Sequence, residues 1–306
     1  MKNIGYEYDS ERGAMVRTSD DGMPLIIRKR EPRWKALGGL DDSYSRAIYI
    51  GQGCWERLDA IDEEKAQQII NEWGLTEKKQ EYFELMKARH SVRQYLDKPI
   101  PEEVRNMLDN YVRELNMDSG LNIQIICDEP ECFGSAKAKY GSFNGCTNYI
   151  SIVGDKGIAD LEERCGFYGE LLVLKAQELG LNTCWVALTH GKSKAVVKQN
   201  ESEVIIISLG YGKTQGAIHK CKSVSSVSNI THDSPEWAKK GIEAALLAPT
   251  AINQQKFKFT IIGNKVYLEP GMIGPCLRID LGIVRCHFEL GAGRENFEWE
   301  YRPMKE

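Results

Sequence analysis

Two stretches of this chain read in parallel, and that parallel limits the fold more than any single motif does. Pro101-Glu102, a helical run and an apolar run at 123–126 are echoed by Pro235-Glu236, a second helical run and an apolar run at 258–262. Gly169 and Gly180 precede Trp185 as Gly282 and Gly293 precede Trp299. A proline followed by acids suits the first turn of a helix and a glycine suits its end, so each stretch reads as helix, strand and a later glycine-closed helix. Two unrelated helix ends would also give glycines eleven apart, so the spacing leaves duplication and coincidence both open.

The remaining elements follow from periodicity. Thr76 is placed to cap a helix with Tyr82, Phe83, Leu85 and Met86 on one face, ending near His90. Residues 160–179 give the strongest helical pattern, with Leu161, Cys165, Tyr168, Leu171 and Leu172 on one side and Gly180 as the stop. Apolar runs at 149–153, 181–186 and 204–209 read as strands, and 258–262 with 265–269 as a hairpin turning at Gly263-Asn264. A last helix is expected over about 280–291. Residues 1–74 differ in texture: short strands at 25–28 and 47–50, then a helix over 62–73 stopped by Gly74, read as a small α+β cap. The expected plan is thus a 1–74 cap and a 75–306 domain with halves of about 75–222 and 223–306.

Composition narrows the function classes. Lys plus Arg number 40 against 44 Asp plus Glu, a net charge of -4, so the basic stripe of a nucleic-acid binder is missing. Nine scattered cysteines without a Cys-x-x-Cys pair point to a reducing, cytoplasmic compartment, and the five histidines show no metal-site spacing. No apolar run approaches the ~20 residues of a membrane span. The partner expected is a small molecule.

The segment Arg89-His90-Ser91-Val92-Arg93 carries the chemistry. Two guanidiniums four residues apart with a hydroxyl between them can hold a phosphate monoester by forked, charge-assisted hydrogen bonds. Cations at a helix end also answer the helix dipole, and spacing alone favours that plainer account. Other motifs change the balance: Leu179-Gly180-Leu181-Asn182-Thr183-Cys184-Trp185, Leu209-Gly210-Tyr211-Gly212, Lys220-x-Lys222, and Ala248-Pro249-Thr250-Ala251-Ile252-Asn253-Gln254-Gln255.

Over residues 76–306 these motifs together resemble the FMN-dependent nitroreductase family, in a branch whose second half is rearranged. The resemblance implies an α+β nitroreductase-like fold, a mainly antiparallel central sheet flanked by helices. It also implies an FMN oxidoreductase passing electrons from NADH or NADPH to a small electron-poor acceptor such as a nitroaromatic or quinone. Arg89, Ser91 and Arg93, helped by Lys220 and Lys222, are implied to hold the FMN phosphate. His90 stands where the family often has arginine. Pro249, Thr250, Asn253 and Gln255 are implied at the ribityl chain and ring edge, and a backbone N–H near Asn182 and Thr183 at the flavin; Cys184 and Trp185 read as core. Lys256-Phe257 replaces the family's Pro-Trp.

In ordinary members the arginine–serine and Pro-Ser/Thr-x-x-Asn motifs lie close together in sequence and meet across two subunits. Here the second motif comes near residue 250. A single-chain pseudo-dimer, one half giving each motif, accounts for both the displacement and the repeat; a homodimer is the other arrangement open. Other readings are a same-fold flavoenzyme with a dedicated substrate, such as a dehydrogenase, dehalogenase or flavin-modifying enzyme, and a non-catalytic flavin-binding sensor.

Overall fold

A computed structural model describes residues 4–10, 13–19, 22–28, 31–36, 59–73, 75–218, 220–271 and 273–300. The amino-terminal segment is a sheet in the order β4-β3-β2-β1-β5, built from β1 (Ile4–Asp9), β2 (Ala14–Ser19), β3 (Gly22–Arg28), β4 (Glu31–Ala36) and β5 (Asp59–Ile61). Helix α1 (Glu63–Glu72) covers it, and Met15, Leu25, Ile27, Ala66 and Ile69 form a core of their own. Asp62 caps α1 by accepting from the Lys65 N–H at 2.7 Å, which fixes the start the periodicity predicts. The strand expected at 47–50 and the Gly74 stop lie outside the described residues.

Helix α2 (Leu75–Ala88) starts one residue before Thr76, which therefore lies inside the helix rather than capping it. Then come α3 (Glu102–Ser119), β6 (Asn122–Ile126), β7 (Asn148–Asp155), α4 (Leu161–Glu178), β8 (Asn182–Val186) and β9 (Glu201–Gly210). These strands form an antiparallel sheet in the order β6-β7-β9-β8. The second half adds α5 (Glu236–Leu246), the hairpin β10 (Phe257–Ile262) and β11 (Lys265–Pro270), α6 (Leu277–Ala292) and β12 (Glu298–Trp299). Its sheet runs β10-β11-β12, with β12 parallel to β11. The two-residue turn expected at Gly263-Asn264 is present, with Gly263 at φ +63°. The α+β class is the observed one.

Helices α4 and α6 pack along each other between the two sheets, inside one continuous core. The amphipathic reading of α4 falls short here: residues 165–174 are buried on every side, because one face meets the sheet and the other meets α6. The helices cross where side chains are absent. A Cβ on Gly282 would lie 1.9 Å from the Glu163 carbonyl oxygen, and one on Gly166 would lie 2.1 Å from that of Ile279. α6 begins at Leu277, three residues before the expected start, and closes at Gly293 with φ +77°, as α4 closes at Gly180 with φ +76°. Among the described residues no helix is long and apolar enough to cross a membrane.

Candidate active site

The chain leaves α2 at Arg89, whose N–H still donates to the Leu85 carbonyl at 2.9 Å, and then runs extended along the edge of β8. The Val92 N–H donates to Thr183 O at 3.0 Å, and Asn144 N to Arg93 O at 3.0 Å. Tyr95 anchors the segment from below, its buried hydroxyl 2.7 Å from both the Val92 carbonyl and Ser208 Oγ. Extended backbone alternates its side chains. Val92 is therefore buried while Ser91 and Arg93 on either side of it are exposed, and Tyr95 turns inward where the strict alternation ends. Arg89 still belongs to the helix end and is buried: it is 3% exposed, with Nε 3.8 Å from Glu170 Oε1.

Ser91 and Arg93 form one wall of a cavity of about 270 Å³, near the low end of the ~300–1,000 Å³ usual for small-molecule sites. Opposite them stands the turn Pro249-Thr250-Ala251-Ile252, and α6 contributes Ile279, Asp280 and Ile283. The turn is bent into left-handed backbone at three non-glycine positions, Ile252 (φ 48°), Asn253 (φ 54°) and Gln255 (φ 43°). Conformations this sparse persist only when the surroundings over-determine them, and they cluster at functional sites.

Asp280 is one of those determinants. Its carboxylate accepts the Ala251 N–H at 2.9 Å and the Gln254 side-chain amide at 2.7 Å. Burial pushes its pKa up to about 6, against the pull of those two hydrogen bonds. The other determinant is Gln255, which accepts from Lys222 N at 2.8 Å and donates to Lys220 O at 2.6 Å. Asn253 donates to the same Lys220 carbonyl at 2.9 Å, Thr250 Oγ1 accepts from Gln255 N, and the Lys222 ammonium sits on the Gln255 carbonyl at 2.8 Å.

Of the residues singled out in sequence, Ser91, Arg93, Pro249 and Thr250 line the cavity. Asn253, Gln255, Lys220 and Lys222 make a bracket behind the turn. Asn182 accepts from Gly212 N at 2.9 Å and donates to Gln215 at 3.0 Å, and Thr183 carries the grip segment on its carbonyl. His90 packs beside Gly216. Cys184 is core as expected, 2% exposed in the cluster that holds Val92 and Tyr95, and Trp185 packs against the main core; both also border the cavity, from opposite faces of β8. Phe143, with the Arg93 guanidinium 5.9 Å from its ring centre, and Asp280 were not singled out at all. Phe143 lies in a glycine-dotted connection, and Asp280 stands in the first turn of α6, where an acid is ordinary.

The sequence profile of the family described as "Putative TM nitroreductase" matches residues 81–292, more than two-thirds of the chain. The chain belongs to that family. A solved nitroreductase structure from Thermotoga maritima, described in the same terms, aligns at 25% identity and a TM-score of 0.51, covering 69% of this chain and 82% of that one. An FMN-dependent nitroreductase from Clostridium difficile R20291 aligns at 20% identity and a TM-score of 0.37, covering 49% and 98%. A Clostridium acetobutylicum protein described as an NADH oxidase aligns at 17% identity and a TM-score of 0.38, covering 49% and 99%. No curated protein matches in sequence. Membership of the nitroreductase family suggests an oxidoreductase and agrees with the nitroreductase-like fold.

Proposed function

We propose that this nitroreductase-family chain is an FMN-dependent oxidoreductase that draws electrons from NADH or NADPH and passes them to a small electron-poor acceptor, a nitroaromatic or a quinone. The observation that carries the reading is a single cavity in a single chain with Ser91 and Arg93 on one wall and Pro249-Thr250-Ala251 on the other. That arrangement supports one complete site per chain, in line with a fused pseudo-dimer.

The donor set suits FMN. Arg93 and Ser91 offer charged and neutral donors to an anionic or carbonyl edge, and Phe143, Trp185, Ile279 and Ile283 offer apolar walls to a flat ring. Just beneath, Arg89 holds a buried Nε with no hydrogen-bond partner. FMN, when bound, supplies the two-electron chemistry. The chain's own residues orient that group, keep water from one side of the cavity and fix the strained turn; none of them is required as a nucleophile. Leu188 and Ile252, 82% and 89% exposed, give the cavity rim an apolar surface suited to a planar acceptor.

Lys256, which with Phe257 stands in place of the family's Pro-Trp, donates to the Ile273 carbonyl at 2.9 Å, and neither it nor Phe257 lines the cavity. The deciding experiment is a visible absorption spectrum of the purified protein before and after incubation with FMN and desalting. Retained flavin that NADH or NADPH bleaches, with colour restored by a nitroaromatic or quinone, is the expected result. A protein that stays colourless overturns the proposal.

A further inference from the structure

Behind the cavity floor, α4 and α6 bring together three groups that the site's lining does not use. Glu170 of α4 and His287 of α6 are fully buried, and Arg89 is 3% exposed. Oxygens hold the His287 ring on both sides: Nδ1 lies 3.0 Å from the Ala244 carbonyl of α5, and Nε2 lies 2.9 Å from Glu170 Oε1. A carbonyl cannot donate, so Nδ1 carries a hydrogen. A neutral ring would then turn its Nε2 lone pair onto an ionised carboxylate, acceptor against acceptor. The contact needs one proton between the two atoms. Wherever that proton sits, Glu170 and His287 together are neutral.

Arg89 is left over. Its Nε is 3.8 Å from Glu170 Oε1, too far for a hydrogen bond, and has no other partner. Trp185 Nε1 donates to the second carboxylate oxygen at 2.9 Å. Burial pulls the Arg89 guanidinium down from its ordinary value, with Glu170 and the Cys184 thiol working against that pull. Cys184, pushed up by its own burial, lines the cavity beside Ser91 and Arg93 and also feels the Arg89 charge, so Arg89 lies behind that lining. A buried cation without a counter-ion is costly, and Arg93 adds positive charge rather than removing it.

We infer that His287 is a positioning residue: by sharing one proton with Glu170 it keeps that carboxylate from neutralising Arg89, and so reserves the guanidinium for the phosphate of the bound cofactor. The inference rests on the reading of the cavity as an FMN site. Its test compares dissociation constants for FMN and for riboflavin, which has the same ring and ribityl chain without the phosphate.

The wild-type chain should prefer FMN. His287→Gln leaves Glu170 ionised against Arg89 and should weaken FMN binding by about tenfold while leaving riboflavin unmoved. Glu170→Gln alone should keep the FMN preference. The double variant Glu170→Gln/His287→Gln should recover it, because no carboxylate remains to pair with Arg89. Recovery by a second substitution is not what a merely structural role would give. Such a role lowers both flavins together and overturns the inference. So does a folded His287→Gln that keeps the full FMN preference, or, should His287→Gln fail to fold, a Glu170→Gln that loses it. A wild-type chain that binds riboflavin as tightly as FMN removes the phosphate and this inference but leaves a flavin site; one that binds neither removes the proposed function as well.

Discussion

The two halves share one plan and divide one task. The first runs α3-β6-β7-α4-β8 and the second α5-β10-β11-α6-β12: helix, antiparallel pair, glycine-closed helix, returning strand. In both, the last strand runs parallel to the second of the pair. In the second half β12 pairs directly with β11, whereas in the first β9 is inserted between β8 and β7, antiparallel to both. The inserted strand and its flanking segments carry the material that holds Arg89–Arg93 in place: Ser208 under Tyr95, Tyr211 on Leu96, Gly212 on Asn182. Among the described residues the second half has no such addition and instead supplies the strained turn. Similar frames therefore give different walls, and the difference between them is what makes a cavity.

The register that matches Gly169 with Gly282 also matches Gly166 with Ile279, the residue whose carbonyl Gly166 meets at the helix crossing. Matched positions touching each other is the signature of a two-fold interface, here folded into one chain. The same register sets Phe167 against Asp280, Glu170 against Ile283 and Leu174 against His287. The polar member is thus the departure from symmetry in each pair: Asp280 lines the cavity, and Glu170 and His287 lie buried behind it.

The largest effect should come from the crossing that both halves share. Gly282→Ala would place its methyl 1.9 Å from the Glu163 carbonyl and 2.8 Å from the Phe167 nitrogen, both backbone atoms that can yield only if a helix moves. A loss of ~3 kcal/mol or more is expected in denaturant unfolding. Gly169→Ala meets side-chain atoms of Ile152 and Trp185 instead and should cost less. Equal losses at the two positions would show that the helices do not meet as described.

Much of this was legible in the chain because it rests on local rules. Helix ends at Gly180 and Gly293 and the hairpin at Gly263-Asn264 all follow from neighbouring residues. What failed to show depends on tertiary surroundings. Glu170 and His287 lie on helices buried all round, where no polar face marks a charge as unusual. Nothing in the letters Ala-Ile-Asn-Gln announces left-handed backbone at a β-branched Ile252; only Asp280 and Gln255, distant or side-chain determinants, impose it. In the amino-terminal sheet, β1 and β2 mix charged and apolar residues, and only β3 has an apolar run strong enough to read.

Asp280 sharpens the comparison at a second level, since its matched position in the first half is the apolar Phe167. Its folded-state pKa is raised to about 6 from the ordinary 3.8, so its contribution to stability is full below the lower value and is lost as pH rises through the upper one. That loss is on the order of 2–3 kcal/mol by about pH 7. Asp280→Asn cannot ionise and should not share it. Relative to wild type, the variant's unfolding free energy should therefore improve by that amount between about pH 4 and about pH 7. Parallel pH curves for the two proteins would show that the hydrogen bonds from Ala251 and Gln254 offset the burial of the carboxylate in full.

The smallest effect separates the two helix ends. Gly180 and Gly293 have nearly the same φ, +76° and +77°, and both close a buried helix before a returning strand. A Cβ at Gly180 would meet nothing within 4 Å, so Gly180→Ala should cost only the left-handed backbone strain, about 1 kcal/mol. At Gly293 the backbone has ψ 115°, outside the left-handed helical well, and a Cβ would lie 2.7 Å from Glu295 Oε1 and 3.0 Å from Asn296 Nδ2. Gly293→Ala should thus lose more than Gly180→Ala by urea titration, with the excess measuring how far the second half has departed from the simple cap of the first. Equal costs would mean that the 3-10 turn Arg294–Asn296 yields freely, and that the two ends differ in shape without differing in strain.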